Sequence, residues 1–226
     1  MRRNMRRNRD GVWLAFAALV ILGAFAFVVR RSNLNQQLLD AVQNRRAASV
    51  VQDLIRQGAN PSATATSEYD SALFRAIDAG TPETVKVLLN AGASMQPVGG
   101  AKVTPMIAVA SSNKFRGDQL TEADDRRLIQ ELQSKGESIE ERDSLGFTPL
   151  MRAVWSGNTA ATGAFLDLGA DTHAVSSCGQ TIMSWTGNNG AAKQAQLEKL
   201  LHEHDADARQ RAATVRPVRQ EFRHVG

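Results

Sequence analysis

The 226-residue chain is 42% hydrophobic and 22% charged, enough apolar content for an ordinary core, which excludes a wholly disordered chain. Its one cysteine, Cys178, excludes an intramolecular disulfide framework and any zinc site built on several thiolates. The formal charge of +4 resides in an N-terminal arm: residues 1–11 carry five arginines and one acid, while residues 32–204 carry 15 Lys/Arg against 19 Asp/Glu. A mildly acidic body lacks the basic footprint that phosphate backbones require, so nucleic acid is not an expected partner.

The first predicted element follows the basic arm of residues 1–11. Val12 to Val29 is an uncharged, proline-free run of 18 residues, flanked by Arg9 and Asp10 before it and Arg30 and Arg31 after it, with Trp13 at its start. At 1.5 Å per residue such a helix reaches about 27 Å, close to the hydrocarbon thickness of a bilayer. The small-x-small triplet Ala24-Phe25-Ala26 gives a second reading, a secretory signal cleaved to leave a soluble periplasmic body beginning at Phe27. The apolar run continues past that triplet to Val29, which favours an uncleaved transmembrane anchor. The arginine arm places the N-terminus in the cytoplasm and the body outside it, in the periplasm of a Gram-negative cell. Residues 30–35 read as a linker.

From residue 36 onward the chain compares with itself. Ser71-Ala72-Leu73-Phe74, Thr104-Pro105-Met106-Ile107, Thr148-Pro149-Leu150-Met151 and Thr181-Ile182-Met183-Ser184 begin 33, 44 and 33 residues apart. A second landmark, an apolar run closed by Gly and then Ala, falls at Gly58-Ala59, Gly92-Ala93 and Gly169-Ala170, with a weaker copy at Gly136. Thr-Pro suits a helix start, because the Thr hydroxyl accepts from a free N–H and Pro has none to leave unpaired. A Gly after the second helix stops it by taking left-handed dihedrals at little steric cost. Val85, Leu88 and Leu89 form an apolar stripe that one hairpin cannot bury alone.

These landmarks resemble those of the ankyrin repeat, and Gly146-Phe147-Thr148-Pro149-Leu150, Gly157 and Gly169-Ala170-Asp171 form the nearest copy of its pattern. The resemblance spans residues 36–204 and implies an all-α ankyrin-repeat solenoid of about five repeats behind one transmembrane helix. It also implies a non-catalytic protein-binding role. The family's usual His after Leu is replaced by Phe74, Ile107, Met151 and Ser184, so its bonds between neighbouring loops are not expected. The first copy, at Leu38-Leu39, lacks Thr-Pro, and the last, Thr181 to His204, lacks a closing Gly-Ala; both read as caps. The third carries about 11 extra residues within Asn113 to Asp125, expected to form a charged projecting loop. Residues 205–226, Arg-rich and without landmarks, read as a mobile tail.

No catalytic constellation emerges. His202 and His204 flank Glu203 two residues apart and so diverge on a helix, with no third ligand cluster, so no metal is expected. Cys178 has only His173 near it in sequence, five residues away, and the acidic stretch Glu137 to Asp143 lacks the spaced Asp/Asn-Gly loop of a calcium site. No Gly-rich phosphate loop is present, so neither a cofactor nor a small-molecule substrate is expected.

The expected function is therefore a membrane-anchored interaction module that binds a protein outside the cytoplasm. An immunity-type inhibitor of a secreted or toxin enzyme is the alternative. In ankyrin-like repeats the hairpin and the end of the first helix point outward, and here these positions hold Leu145, Phe147, Arg152 and Trp155. Aromatic and arginine side chains are enriched at binding hot spots, which makes these residues, with Trp185 of the next copy, the candidate partner surface.

Overall fold

The alternation of short apolar stretches with capping and Gly signals produces helices, and among the described residues only isolated bridges of extended structure. The computed structural model describes the backbone of residues 2–65, 67, 70–112 and 122–214. Side chains are described over the same residues except 2–17, 188, 189 and 207–214. The helices are α1 (Arg2–Gln43), α2 (Ala48–Arg56), α3 (Ala72–Ala79), α4 (Pro82–Asn90), α5 (Pro105–Ser111), α6 (Glu122–Ser134), α7 (Pro149–Ser156), α8 (Thr159–Asp167) and α9 (Ala191–Thr214). A 3-10 helix, Ile182–Asn189, precedes α9. Two compact units divide the chain, Met1–Gly99 and Gly100–Gly226.

In the first unit α1 pairs with α2 and α3 with α4, while α1 also packs on α3 and α2 on α4. α1 is one helix through residues 30–35, where a linker is expected from the change in composition. The physical reason is that residues 24–43 contain neither Gly nor Pro, so nothing stops the helix until the turn at Asn44–Arg46. Its two parts differ sharply in environment. Leu19, Ile21, Leu22 and Phe25 are 65–70% exposed, whereas Leu38, Leu39 and Val42 are buried. This is the one helix among the described residues long and apolar enough to cross a membrane.

In the second unit α5 pairs with α6 and α7 with α8, α5 packs on α7, and α6 packs on α8. The 3-10 helix and α9 continue this arrangement against α7 and α8 respectively. Capping is local and repeated: the hydroxyls of Ser71, Thr104 and Thr148 accept from the backbone N–H of Phe74, Ile107 and Met151 at 3.3, 3.2 and 3.3 Å. Thr181 makes no such cap, and the segment after it is 3-10. It has no Pro at the first position and runs into Thr186-Gly187-Asn188-Asn189, all poor helix formers. Gly92 and Gly169 follow α4 and α8 at φ of 84° and 86°, the left-handed region in which a side chain would be strained.

Side-chain bonds to backbone N–H groups recur at near-constant sequence separation. In the first unit Ser62 Oγ accepts from Ser94 N at 2.9 Å. In the second, Glu137 Oε2 accepts from Met106 N at 3.3 Å and Glu140 Oε1 from Asp171 N at 2.8 Å. Ser62 and Glu140 thus join neighbouring loops across 32 and 31 residues, while Glu137 ties the loop after α6 back to the start of α5, 31 residues earlier.

Two segments differ from the sequence-based expectation. Residues 113–121 of the expected loop lie outside the described residues, but Glu122 to Asp125 are the first turn of α6, and Asp125 is buried. Three acids in that turn favour the helix N-terminus through its dipole. Residues 205–214, expected to be mobile, continue α9, as their Ala, Arg and Gln content favours. Residues 215–226 lie outside the described residues.

Candidate functional site

Four of the five residues singled out by sequence form one cluster in the second unit, held on an aspartate. Asp143 opens the hairpin before α7, and its Oδ1 accepts from Leu145 N at 2.8 Å and Phe147 N at 3.0 Å. Its Oδ2 accepts from Arg152 Nε at 2.6 Å and from Arg152 Nη2. The carboxylate is thereby satisfied at about 1% side-chain exposure. The guanidinium it orients lies 4.5 Å from the Phe147 ring centroid and 5.3 Å from that of Trp155. Trp185 completes the group, with its ring centroid 5.4 Å from Phe147 at an interplanar angle of 58°. The Trp185 indole N–H is buried and has no hydrogen-bond partner among the described residues.

This geometry changes the reading of individual residues. Phe147, expected to point outward, is buried, because Trp185 from the following hairpin and Arg152 cover its ring. Arg152, expected as an outward hot spot, is committed to Asp143 and only 17% exposed, since a buried carboxylate requires its guanidinium. Trp155 and Trp185 are half-buried. Leu145 differs from the other four, with half of its surface open to solvent.

Leu145 has neighbours that the sequence analysis did not single out. Outside α1, the exposed large apolar side chains among the described residues are Val50, Leu145, Val175 and Met183. Three of these four fall between residues 145 and 183. Leu145 O accepts from Ser177 N at 3.1 Å, and Arg142 Nη1 donates to Gly146 O at 2.8 Å and to Val175 O at 2.7 Å. The two hairpins therefore lie side by side, Leu145 in the turn of one and Val175 in the stem of the other, where it bridges Thr181, with the exposed Arg142 bonded to a carbonyl of each. The signal available in sequence was positional: Val175 sits in the hairpin after α8 as Leu145 sits in the hairpin before α7.

Burial pushes Glu137 up to about 7; the bond from Met106 N opposes the shift and the nearby Glu141 adds to it. Cys178 is exposed, His173 Nδ1 lies 3.0 Å from Thr172 Oγ1, and among the described residues no three His, Cys, Asp or Glu gather as a metal set.

The first unit carries a separate cavity of about 240 Å³ where the loops after α2 and α4 meet the start of α3. Ser62, Thr64, Ser71, Phe74, Ser94 and Gln96 line it with others. Ser62, Ser71 and Ser94 each accept a backbone N–H, from Ser94, Phe74 and Gln96 respectively, which leaves each hydroxyl its own hydrogen to donate. No protein-family model matches the chain, and no curated protein matches it.

Proposed function

We propose that the chain is a membrane-anchored, non-catalytic binding protein whose ankyrin-type helical hairpins engage a protein partner outside the cytoplasm. The observation that carries this reading is the pair of adjoining hairpins with exposed Leu145 and Val175, on a body where, among the described residues outside α1, only Val50 and Met183 are further exposed large apolar side chains. Exposed apolar groups with a polar rim mark association surfaces, and Arg142 supplies that rim. The buried Asp143–Arg152 pair keeps the tips rigid, which lowers the ordering cost of binding. The capped helix starts at Ser71, Thr104 and Thr148, 33 and 44 residues apart, and the Gly-terminated second helices support the ankyrin reading of the hairpins. The solvent-facing apolar part of α1 supports the anchor, and the five N-terminal arginines support the orientation.

Site-specific photocrosslinkers test the surface. Placed at Leu145 or Val175 in living cells they trap one discrete protein adduct, and placed at the exposed Lys193 they trap none. Failure at both tips overturns the assignment. Carbonate washing leaves the full-length chain in the membrane pellet, and protease reaches the body only after the outer barrier is opened. A processed N-terminus at residue 27 overturns the anchor, and protection of the body in spheroplasts overturns the orientation.

A further inference from the structure

We infer that the loop end of the first unit rests on the bilayer surface, so that its hydroxyl-lined cavity lies at the level of the lipid headgroups. The inference builds on the anchor reading and adds a fixed placement to it. It starts from the continuity of α1, which passes from exposed apolar residues into the buried Leu34, Leu38 and Leu39 without a break. The body therefore cannot swing on a linker. It is held where the helix emerges.

Two hydrogen bonds then set the height of the loops. Asn35 Oδ1 accepts from Asn60 N at 2.7 Å, which brings the loop after α2 back to the level of Asn35. Ser62 Oγ accepts from Ser94 N at 2.9 Å, which places the loop after α4 beside it. Asn35 lies six residues beyond Val29, or about 9 Å along the helix. A headgroup layer occupies roughly 5–7 Å on each side of the hydrocarbon core, so both loops stand at its outer rim. α1 ends at Gln43, roughly 21 Å beyond Val29, and the turn that follows is well clear of the lipid.

Composition matches this placement. Residues 57–65 and 91–99, the stretches of the two loops that the bonds of Asn60 and Ser94 anchor, contain no Asp, Glu, Lys or Arg, in a chain that is 22% charged, although Asp70 and Lys102 follow later in the same loops. The opposite end carries Arg45, Arg46 and Glu83. Asp70, at the close of the first of these loops, is paired with Arg75 at 2.6 Å. A surface pressed into the headgroup region avoids the desolvation cost of free ions and keeps donors for lipid oxygens. The hydroxyls of Ser62, Ser71 and Ser94 are such donors, and phosphate and ester oxygens are their acceptors. Arg30 and Arg31, directly below, meet the anionic layer.

The test uses full-length protein with Cys178→Ser, reconstituted into phosphatidylethanolamine and phosphatidylglycerol vesicles that contain a headgroup-tethered nitroxide lipid. Single cysteines carrying a small fluorophore replace exposed residues at the loop end, Gln57→Cys and Gln96→Cys, and at the far end, Arg46→Cys and Glu83→Cys. The loop-end probes are expected to be quenched at least about twofold more than the far-end probes, given the roughly 12 Å difference in height. Equal quenching at the two ends, or stronger quenching at Arg46→Cys and Glu83→Cys, overturns the inference while the anchor stands. Loss of the protein from the vesicles on carbonate washing overturns the anchor, and this inference with it.

Discussion

Arg75 and Arg152 occupy the same place in their hairpins, four residues after the capping hydroxyl, and each reaches back to an aspartate. The outcomes differ. In the first unit Asp70 and Arg75 are 28% and 19% exposed, and Arg75 Nε donates to Asp70 Oδ1. In the second, Asp143 is almost completely covered, accepts two backbone N–H groups besides Arg152, and holds the arginine over two aromatic rings. One residue pattern thus yields a partly solvated staple in one hairpin and the centre of a packed cluster in the other. Burial, more than the pairing itself, decides how much such a pair matters.

The largest effect separates the two aspartates directly. Asp143→Ala leaves a largely buried guanidinium uncompensated and two backbone N–H groups without their acceptor, an expected loss of about 3–4 kcal/mol. Asp70→Ala leaves a guanidinium covered to a similar degree, but its carboxylate is 28% exposed and water replaces part of the pairing, so it should cost less, about 1 kcal/mol. Urea denaturation of the detergent-solubilised chain, followed by circular dichroism, measures both. Equal losses would dissolve the distinction drawn from burial.

A second substitution sharpens it at the backbone. Gly146 has φ of 74°, and a Cβ there would stand 2.7 Å from Ser177 N in the neighbouring tip. Gly146→Ala combines left-handed strain with a clash against backbone and should cost about 2–3 kcal/mol. Gly92, at φ of 84° with open space around its Cβ position, isolates the strain, so Gly92→Ala should cost about 1–2 kcal/mol. The excess at Gly146, read from the same denaturation curves, reports how closely the two tips approach.

What could be read from sequence was local, and what could not depended on neighbours far along the chain. The Thr hydroxyl caps and the Gly stops act within three or four residues, so Thr104, Thr148, Gly92 and Gly169 declare themselves. Phe147 looks like an outward anchor because its cover comes from Trp185, 38 residues later. Arg152 looks free because its aspartate lies nine residues upstream across a turn. The continuity of α1 was legible in principle: residues 30–35 hold no helix breaker, but the shift from apolar to polar composition reads as a linker. The same limit governs the candidate surface, where Val175 gains meaning only beside Leu145.

The smallest effect concerns the side-chain acceptors of the loops, a neutral hydroxyl in the first unit and an ionisable carboxylate in the second. Ser62 Oγ and Glu137 Oε2 each accept a backbone N–H about one repeat away, from the next loop and from the start of α5 respectively, but only Glu137 titrates. Burial raises it from its ordinary value to about 7, so between pH 4.5 and 7 the folded state holds a proton that the unfolded chain has released. Its contribution is therefore complete below pH 4.5 and is lost as pH rises through about 7. Glu137→Gln keeps an oxygen to accept Met106 N and removes the ionisation. It should leave stability at pH 5 nearly unchanged and raise it at pH 8 by about 1 kcal/mol, a figure reduced for the solvent that reaches this half-buried group. Ser62→Ala, whose partner is neutral, should shift stability by the same amount at both pH values. Denaturation of the two variants at pH 5 and pH 8 checks this, and a pH-independent shift in Glu137→Gln would place the carboxylate in water.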